Sequence, residues 1–302
     1  MSALQLFLQQ LANGLTLGAI YALIALGYTM VYGVIQLINF AHGEIFMVGA
    51  YAALTVILLA SGWGLPWAAV LLLSAVGAMA ICGFLAFQIE RIAYRPIRAA
   101  PRLNAFITAI GMSFFLQNAL MLLYGATDRQ FPNLIPLMRW EVGGVTITLM
   151  QVIVWAGSGL MMAALQGLVM STRLGMAMRA TAQDLKACAL LGIPVNRIIA
   201  VTFVIGSVFA AVGGVLFGLN YGTINFHDGY MMGMKAFTAA VLGGIGNIPG
   251  AMVGGLVLGL LEGLGAGYLS AQWKNVFAFL ILVVLLLFKP TGLFGERVAE
   301  RA

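Results

Sequence analysis

Apolar residues fill this chain in long runs, separated by short polar stretches, and not in the spaced pattern of elements with one buried face. Runs near 6–34, 40–60, 65–88, 103–124, 148–170 and 198–219 each match or exceed the roughly 20 residues that carry a helix across a bilayer. Three shorter runs follow near 235–246, 250–264 and 276–288, and their brevity and glycine content leave room for broken or re-entrant helices. The pattern predicts an all-α polytopic membrane bundle of about eight to nine transmembrane segments, with seven as the lower bound.

Composition sharpens this reading. Of 302 residues, 62% are hydrophobic and 8% charged, against roughly a quarter charged in soluble domains. Most of the surface must therefore face lipid, and soluble folds are excluded. The N-terminal run continues past signal-peptide length without a basic leader or cleavage site, so it is read as a retained first helix. Cys82 and Cys188 are far apart and suggest packing, neither a disulfide framework nor a metal cluster.

Positive charge orients the chain, because Lys and Arg are retained in cytoplasmic loops. Eleven of the fifteen basic residues fall in three segments: Arg91, Arg95, Arg98 and Arg102; then Arg173, Arg179, Lys186 and Arg197; then Lys289, Arg297 and Arg301. Two predicted spans separate the first segment from the second and four the second from the tail, so all three share the cytoplasmic side. Three spans before the first segment put the N-terminus outside.

An internal repeat fits this layout. Ile38-Asn39-Phe40-Ala41-His42-Gly43 recurs 186 residues later as Ile224-Asn225-Phe226-His227-Asp228-Gly229, with Ala50 and Ala53 meeting Ala236 and Ala239 at the same offset. Five spans lie between the copies. An odd number inserts the two halves in opposite senses, as in inverted-repeat transporters, with repeat one over about 6–170, a cytoplasmic segment at 171–197, repeat two over about 198–290 and a short tail at 291–302.

The cytoplasmic segment carries the most specific pattern. Good helix formers run over 176–191 without proline, Gly192 stands where a C-terminal cap belongs, and Pro194 prevents continuation. This predicts one short helix at the membrane surface, its small residues, including Ala187, permitting close approach while Arg179, Asp184 and Lys186 offer polar contacts to a soluble partner.

That alanine-rich stretch with its central Asp184, followed by Leu190-Leu191-Gly192-Ile193 and a helix containing Ala210-Ala211-Val212-Gly213-Gly214, resembles the coupling region of ATP-binding-cassette importer permeases. Asn13-Gly14-Leu15, Gly18-Ala19-Ile20-Tyr21-Ala22-Leu23, Ile38-Asn39-Phe40-Ala41-His42-Gly43-Glu44 and Gly243-Gly244-Ile245-Gly246-Asn247-Ile248-Pro249-Gly250 are similar to the branched-chain amino acid permease family, over about residues 10–295. The resemblance implies a multi-pass protein of the bacterial inner membrane that imports Leu, Ile and Val. It also implies four further subunits: two cytoplasmic ATPase subunits, a second related permease and a periplasmic solute-binding protein. Arg179, Asp184, Ala187, Leu191, Gly192 and Ile193 are the expected ATPase-coupling residues.

Polar residues inside the apolar runs are the candidates for the path. Charges are costly in lipid and mark routes or paired sites. His42, Glu44, His227, Asp228, Lys235 and Glu262 qualify, and the repeated segments nominate Asn39, His42, Glu44, Asn225, His227 and Asp228 as path residues. Opposite insertion is expected to place the two copies at opposite ends of that path, and Glu44 and Asp228 have the simpler role of capping the helices they begin. The glycines between Gly243 and Gly259 are read first as close-packing positions, and otherwise as a mobile gate.

Enzyme chemistry finds no support. None of the four lysines follows a glycine, so the phosphate-cradling G-x-x-x-x-G-K-[ST] loop is absent. His42 and His227 form no H-E-x-x-H motif, and Ser158 lacks the flanking glycines of a nucleophile elbow. No cofactor is expected, and basic loops without interleaved aromatics argue against nucleic acid. The competing functions are an ion-gradient-driven secondary transporter, and a related importer permease for other amino acids, urea or amides.

Overall fold

A computed structural model describes residues 2–98, 100–289 and 291–295. Arg297 and Arg301 of the basic tail lie outside the described residues. Eleven α-helices are found among the described residues: α1 (Ala3–Ile35), α2 (His42–Ala60), α3 (Trp67–Ile89), α4 (Arg102–Tyr124), α5 (Leu149–Ser171), α6 (Arg173–Gln183), α7 (Leu185–Leu190), α8 (Val195–Tyr221), α9 (Asp228–Gly243), α10 (Ile248–Tyr268) and α11 (Lys274–Phe288). Seven of these, α1 to α5, α8 and α10, are long and apolar enough to cross a membrane. The other two expected crossings, α9 and α11, have 16 and 15 residues, or about 24 and 22 Å of helix against a hydrocarbon core of about 30 Å.

Local signals explain the boundaries. Ser2 with Gln5 and Thr148 with Gln151 form reciprocal capping boxes at the starts of α1 and α5. Pro66, Pro101 and Pro194 stand immediately before α3, α4 and α8, where a missing N–H costs nothing. Asn247 caps α10, accepting the Gly250 N–H at 2.9 Å. Four short strands add small antiparallel ribbons: β1 (Arg129–Gln130) with β4 (Thr223–Ile224), and β2 (Arg139–Val142) with β3 (Val145–Thr148). Gly143 and Gly144 both take positive φ in the two-residue β2–β3 turn, a conformation open to glycine.

The helix ends sort onto two faces. On one, Arg98 donates to Asn196 at 2.7 Å, Tyr94 donates to Asn39 at 2.7 Å, and Asn247 donates to the Phe294 carbonyl at 3.0 Å. These bonds gather the described parts of the three basic segments around the C-terminal end of α1. On the other face, Gln9 near the start of α1 pins β3, accepting the Thr146 N–H at 2.9 Å and donating to its carbonyl at 3.1 Å.

Residues 18–31 of α1 are buried without interruption, as expected of a helix apolar on every side. α1 packs on α9 and α10, and α8 packs on α2 and α3; α2 also meets α3, as α9 meets α10. Exchanging α1 with α8, α2 with α9 and α3 with α10 leaves this set of pairings unchanged. The α1–α10 seam is a close one: an added Cβ on Gly18 would lie 2.8 Å from Leu256 Cα, and one on Gly14 would lie 2.9 Å from the Gly259 carbonyl. Backbones in such contact gain dispersion energy where lipid supplies no hydrophobic drive.

Candidate functional site

The segment expected to be one helix over 176–191 is two. α6 ends at Gln183, and Asp184 leaves the helix with φ −152° and ψ 105° to begin α7. Its carboxylate accepts the N–H groups of Lys186 at 2.8 Å and Ala187 at 2.9 Å. An aspartate competes poorly inside a helix and well at its start, so helix formers on both sides do not bridge it. Those N–H groups, Ala187's first, hold the carboxyl below the usual aspartate range. The expected terminator is where the sequence puts it: Gly192 takes φ +80°, its N–H reaches the Ala189 carbonyl and that of Ile193 the Cys188 carbonyl, which is the Schellman pattern.

Met178, Thr181 and Cys188 turn inward, while Arg179, Asp184, Ala187 and Gly192 are exposed and Ile193 is half-buried. Leu190 and Leu191 stand 89% and 80% exposed on the basic face. Two adjacent large apolar side chains at this helix end are thus left uncovered. A groove of about 660 Å³ runs beside them between Phe87 and the 192–197 turn.

The repeated motif adopts the same turn twice. Asn39 Oδ1 accepts the Ala41 N–H at 3.1 Å and Asn225 Oδ1 accepts that of His227 at 3.0 Å; the carbonyls of Asn39 and Asn225 receive the N–H of His42 and Asp228, each at 3.0 Å. Both asparagines therefore serve as turn formers that start α2 and α9. Their remaining contacts lie toward different faces: Tyr94 on the basic side for Asn39, Asp128 at 2.6 Å on the other for Asn225.

The two copies approach from opposite sides, but they converge where separation was expected. An added Cβ on Gly43 would lie 2.5 Å from the Gly229 carbonyl and 2.7 Å from Gly233 Cα, and one on Gly229 would lie 3.1 Å from Met47 Cβ. The first turns of α2 and α9 thus cross in contact. Only glycine lets backbones come this close, which explains the glycine that ends each copy of the motif.

At this crossing Glu44 is 1% exposed and accepts from Ser113 Oγ at 3.2 Å. Ser113 is the middle residue of α4, which places the carboxyl near mid-depth. No side chain caps α2, so the expected capping role of Glu44 is not its role in the structure. Asp228 does act locally, accepting the Asn225 N–H at 2.8 Å. His42 is also buried, in the space left by Gly27 and edge-on to Tyr28 at 4.9 Å, whereas His227 is exposed and bonds Gln117 at 3.0 Å.

Two charged clusters pair residues that sequence reading left apart. Lys235 of α9 donates to Glu262 of α10 at 2.7 Å, Tyr21 of α1 donates to the other Glu262 oxygen at 3.0 Å, and both ions are 1% exposed. Glu90, fully buried in a π-helical turn over Glu90–Tyr94, receives Arg95 at 2.7 Å and Arg98 at 2.5 Å. Lys235 and Glu262 stood out as charges in apolar runs; nothing in their spacing of 27 positions announced a pair. Ser113 and Glu90 had no sequence signal.

Broken helices crossing inside an apolar bundle, with buried polar groups at their starts, make a membrane transport protein. Residues 10–286 match the family described as branched-chain amino acid transport system / permease component. The chain is 51% identical to the high-affinity branched-chain amino acid transport system permease protein LivH of Escherichia coli, covering 98% of this chain and 97% of that one. It is 49% identical to the corresponding permease protein BraD of Pseudomonas aeruginosa, with 98% of each covered. A probable branched-chain amino acid transport permease of Methanocaldococcus jannaschii is 27% identical over 90% of this chain. The chain belongs to the branched-chain amino acid permease family.

Proposed function

We propose that this chain is the membrane-spanning permease subunit of an ATP-driven importer for Leu, Ile and Val in a bacterial inner membrane. Two cytoplasmic ATPase subunits supply the hydrolysis, a second related permease completes the membrane unit, and a periplasmic solute-binding protein delivers the solute. The observation that carries this reading is the α6–α7 element, folded on the basic face with Leu190 and Leu191 uncovered. Arg179, Asp184, Ala187, Leu191, Gly192 and Ile193 lie on or beside that surface, and an ATPase subunit covering it removes both leucines from water. A gradient-driven carrier has no use for such an element.

Helices α1–α3 and α8–α10 form two inverted halves, and the solute passes near the α2–α9 crossing. Asn39 and Asn225 hold the two helix starts in place there, with His42, Glu44, His227 and Asp228 around them. Support comes from the matching turns at Asn39 and Asn225 and from the exchangeable helix pairings. Affinity purification of a tagged chain from its native membrane tests the assembly. ATPase subunits that co-purify, with leucine uptake in vesicles that requires internal ATP and survives ionophores, are the expected result; uptake abolished by ionophores with ATP present overturns it.

A further inference from the structure

Glu44 has an unfinished set of bonds. Its Oε1 accepts from Ser113, but Oε2 is buried without a hydrogen-bond partner. That free oxygen lies against α9, where an added Cβ on Gly229 would come within 2.5 Å of it. A carboxylate taken out of water is costly unless a cation or donor completes it, and otherwise takes up a proton. The buried Lys235 of α9 does not serve, because it is spent on Glu262 and Tyr21. His42 does not serve either, since its free Nε2 faces Gly27 on the α1–α8 side.

The same Ser113 lines a cavity of about 270 Å³ between α1, α4 and α9, whose other walls include Tyr28, Phe40, Phe106, Ile110 and Tyr230. An aromatic and aliphatic chamber therefore stands one hydrogen bond away from an unpaired, buried carboxyl oxygen. Small-solute sites have this build, mostly apolar walls with a few placed polar groups, and this one lies just under the usual range of roughly 300–1,000 Å³.

We propose that Glu44 and this cavity form a transient site inside the permease for an aliphatic α-amino acid: Glu44 accepts the ammonium group, and the cavity receives the hydrocarbon side chain. The proposal rests on the reading of the chain as the membrane subunit of an amino acid importer. It assigns to the permease a selectivity step of its own, after delivery. Glu44 completes its bonding while the solute is present, and the solute's ammonium group is matched near mid-depth, where it is otherwise most costly.

A leucine analogue with a diazirine in its side chain, photolysed with the whole complex in membranes, tests this by peptide mapping. Labels are expected in α4 between Phe106 and Phe114 and in α9 between Tyr230 and Met234. Excess leucine should protect. 4-Methylpentanoate, the same carbon skeleton without the ammonium group, should not. Glu44→Gln should cut labelling about tenfold, equivalent to about 1.4 kcal/mol, in complex assembled to the normal amount. Should that variant fail to assemble, Ile110→Trp fills the cavity from α4 without touching the carboxyl and should abolish the label. Equal protection by 4-methylpentanoate, unchanged labelling in either variant, or labels confined to other segments overturns the proposal. Wild-type vesicles assayed in parallel keep the two readings apart, because ATP-dependent leucine uptake persists if only the internal site is wrong and is absent if the importer assignment is wrong.

Discussion

Replacing Lys235 with methionine puts the buried ion pair to a quantitative test. In the native protein Lys235 bonds Glu262 at 2.7 Å and lies 3.3 Å from the Tyr21 hydroxyl, tying α9 to α10 and α1 with both ions 1% exposed. Lys235→Met keeps the length of the stem and leaves Glu262 buried without its cation, with only Tyr21 beside it. Breaking one partner of such a pair costs about 3–5 kcal/mol, whereas removing both charges in favour of apolar groups is often close to neutral. Glu262→Leu alone should cost a similar amount, and the double variant much less than the sum, giving a coupling of at least about 2 kcal/mol by the double-mutant cycle. The helix-to-helix alternative predicts less, since neutral interhelical hydrogen bonds in membranes average about 0.6 kcal/mol and reach about 1.7. Denaturation of the purified complex in mixed micelles measures all four proteins. A coupling near 0.6 kcal/mol or below refutes the argument that charge, and not mere contact, holds α9 in place.

Single cysteines at Arg95 and Lys186 should resist membrane-impermeant thiol reagents in intact cells and react after permeabilisation, because the structure gathers both loops on the basic face; labelling of either in intact cells contradicts the orientation. Ala187→Trp adds bulk at an exposed position, so the chain should fold normally while ATPase subunit association falls about tenfold or more in pull-down, the equivalent of about 1.4 kcal/mol. Gly192→Val should act on the fold instead, forcing a branched residue into φ +80° at about 1–2 kcal/mol, visible as a lower melting temperature. Asp184 starts α7 through its anion, with its folded pKa held below the unfolded value; its contribution is present above the unfolded pKa and is lost as pH falls through the folded one. Asn offers an amide oxygen to the same two N–H groups and caps about as well as Asp, so Asp184→Asn should largely preserve ATPase association at neutral pH while Asp184→Ala should reduce it, and equal loss in both variants rejects the capping role.

Much of this protein is a consequence of composition and order along the chain. The apolar runs dictate helices, because in lipid a backbone must satisfy its own hydrogen bonds. Pro66, Pro101, Pro194 and Gly192 mark boundaries that the folded chain respects. The shared local turn was legible too, since the Ile-Asn-Phe pattern that forms it at Asn39 recurs at Asn225. What the chain order could not reveal was which distant groups meet. Helix formers on both sides of Asp184 read as one helix because propensity sums over a window, while a single carboxylate capping two N–H groups decides the break. Glu44 read as a cap because it begins a helix, yet the crossing of α2 and α9 turns it toward Ser113 of α4, 69 positions away. Lys235 finds Glu262 by the same route, through glycine-lined contacts that set how closely α9, α10 and α1 approach. Element type follows from local chemistry acting over a few residues; the pairing of buried charges follows from helix packing, whose geometry depends on every contact along each seam.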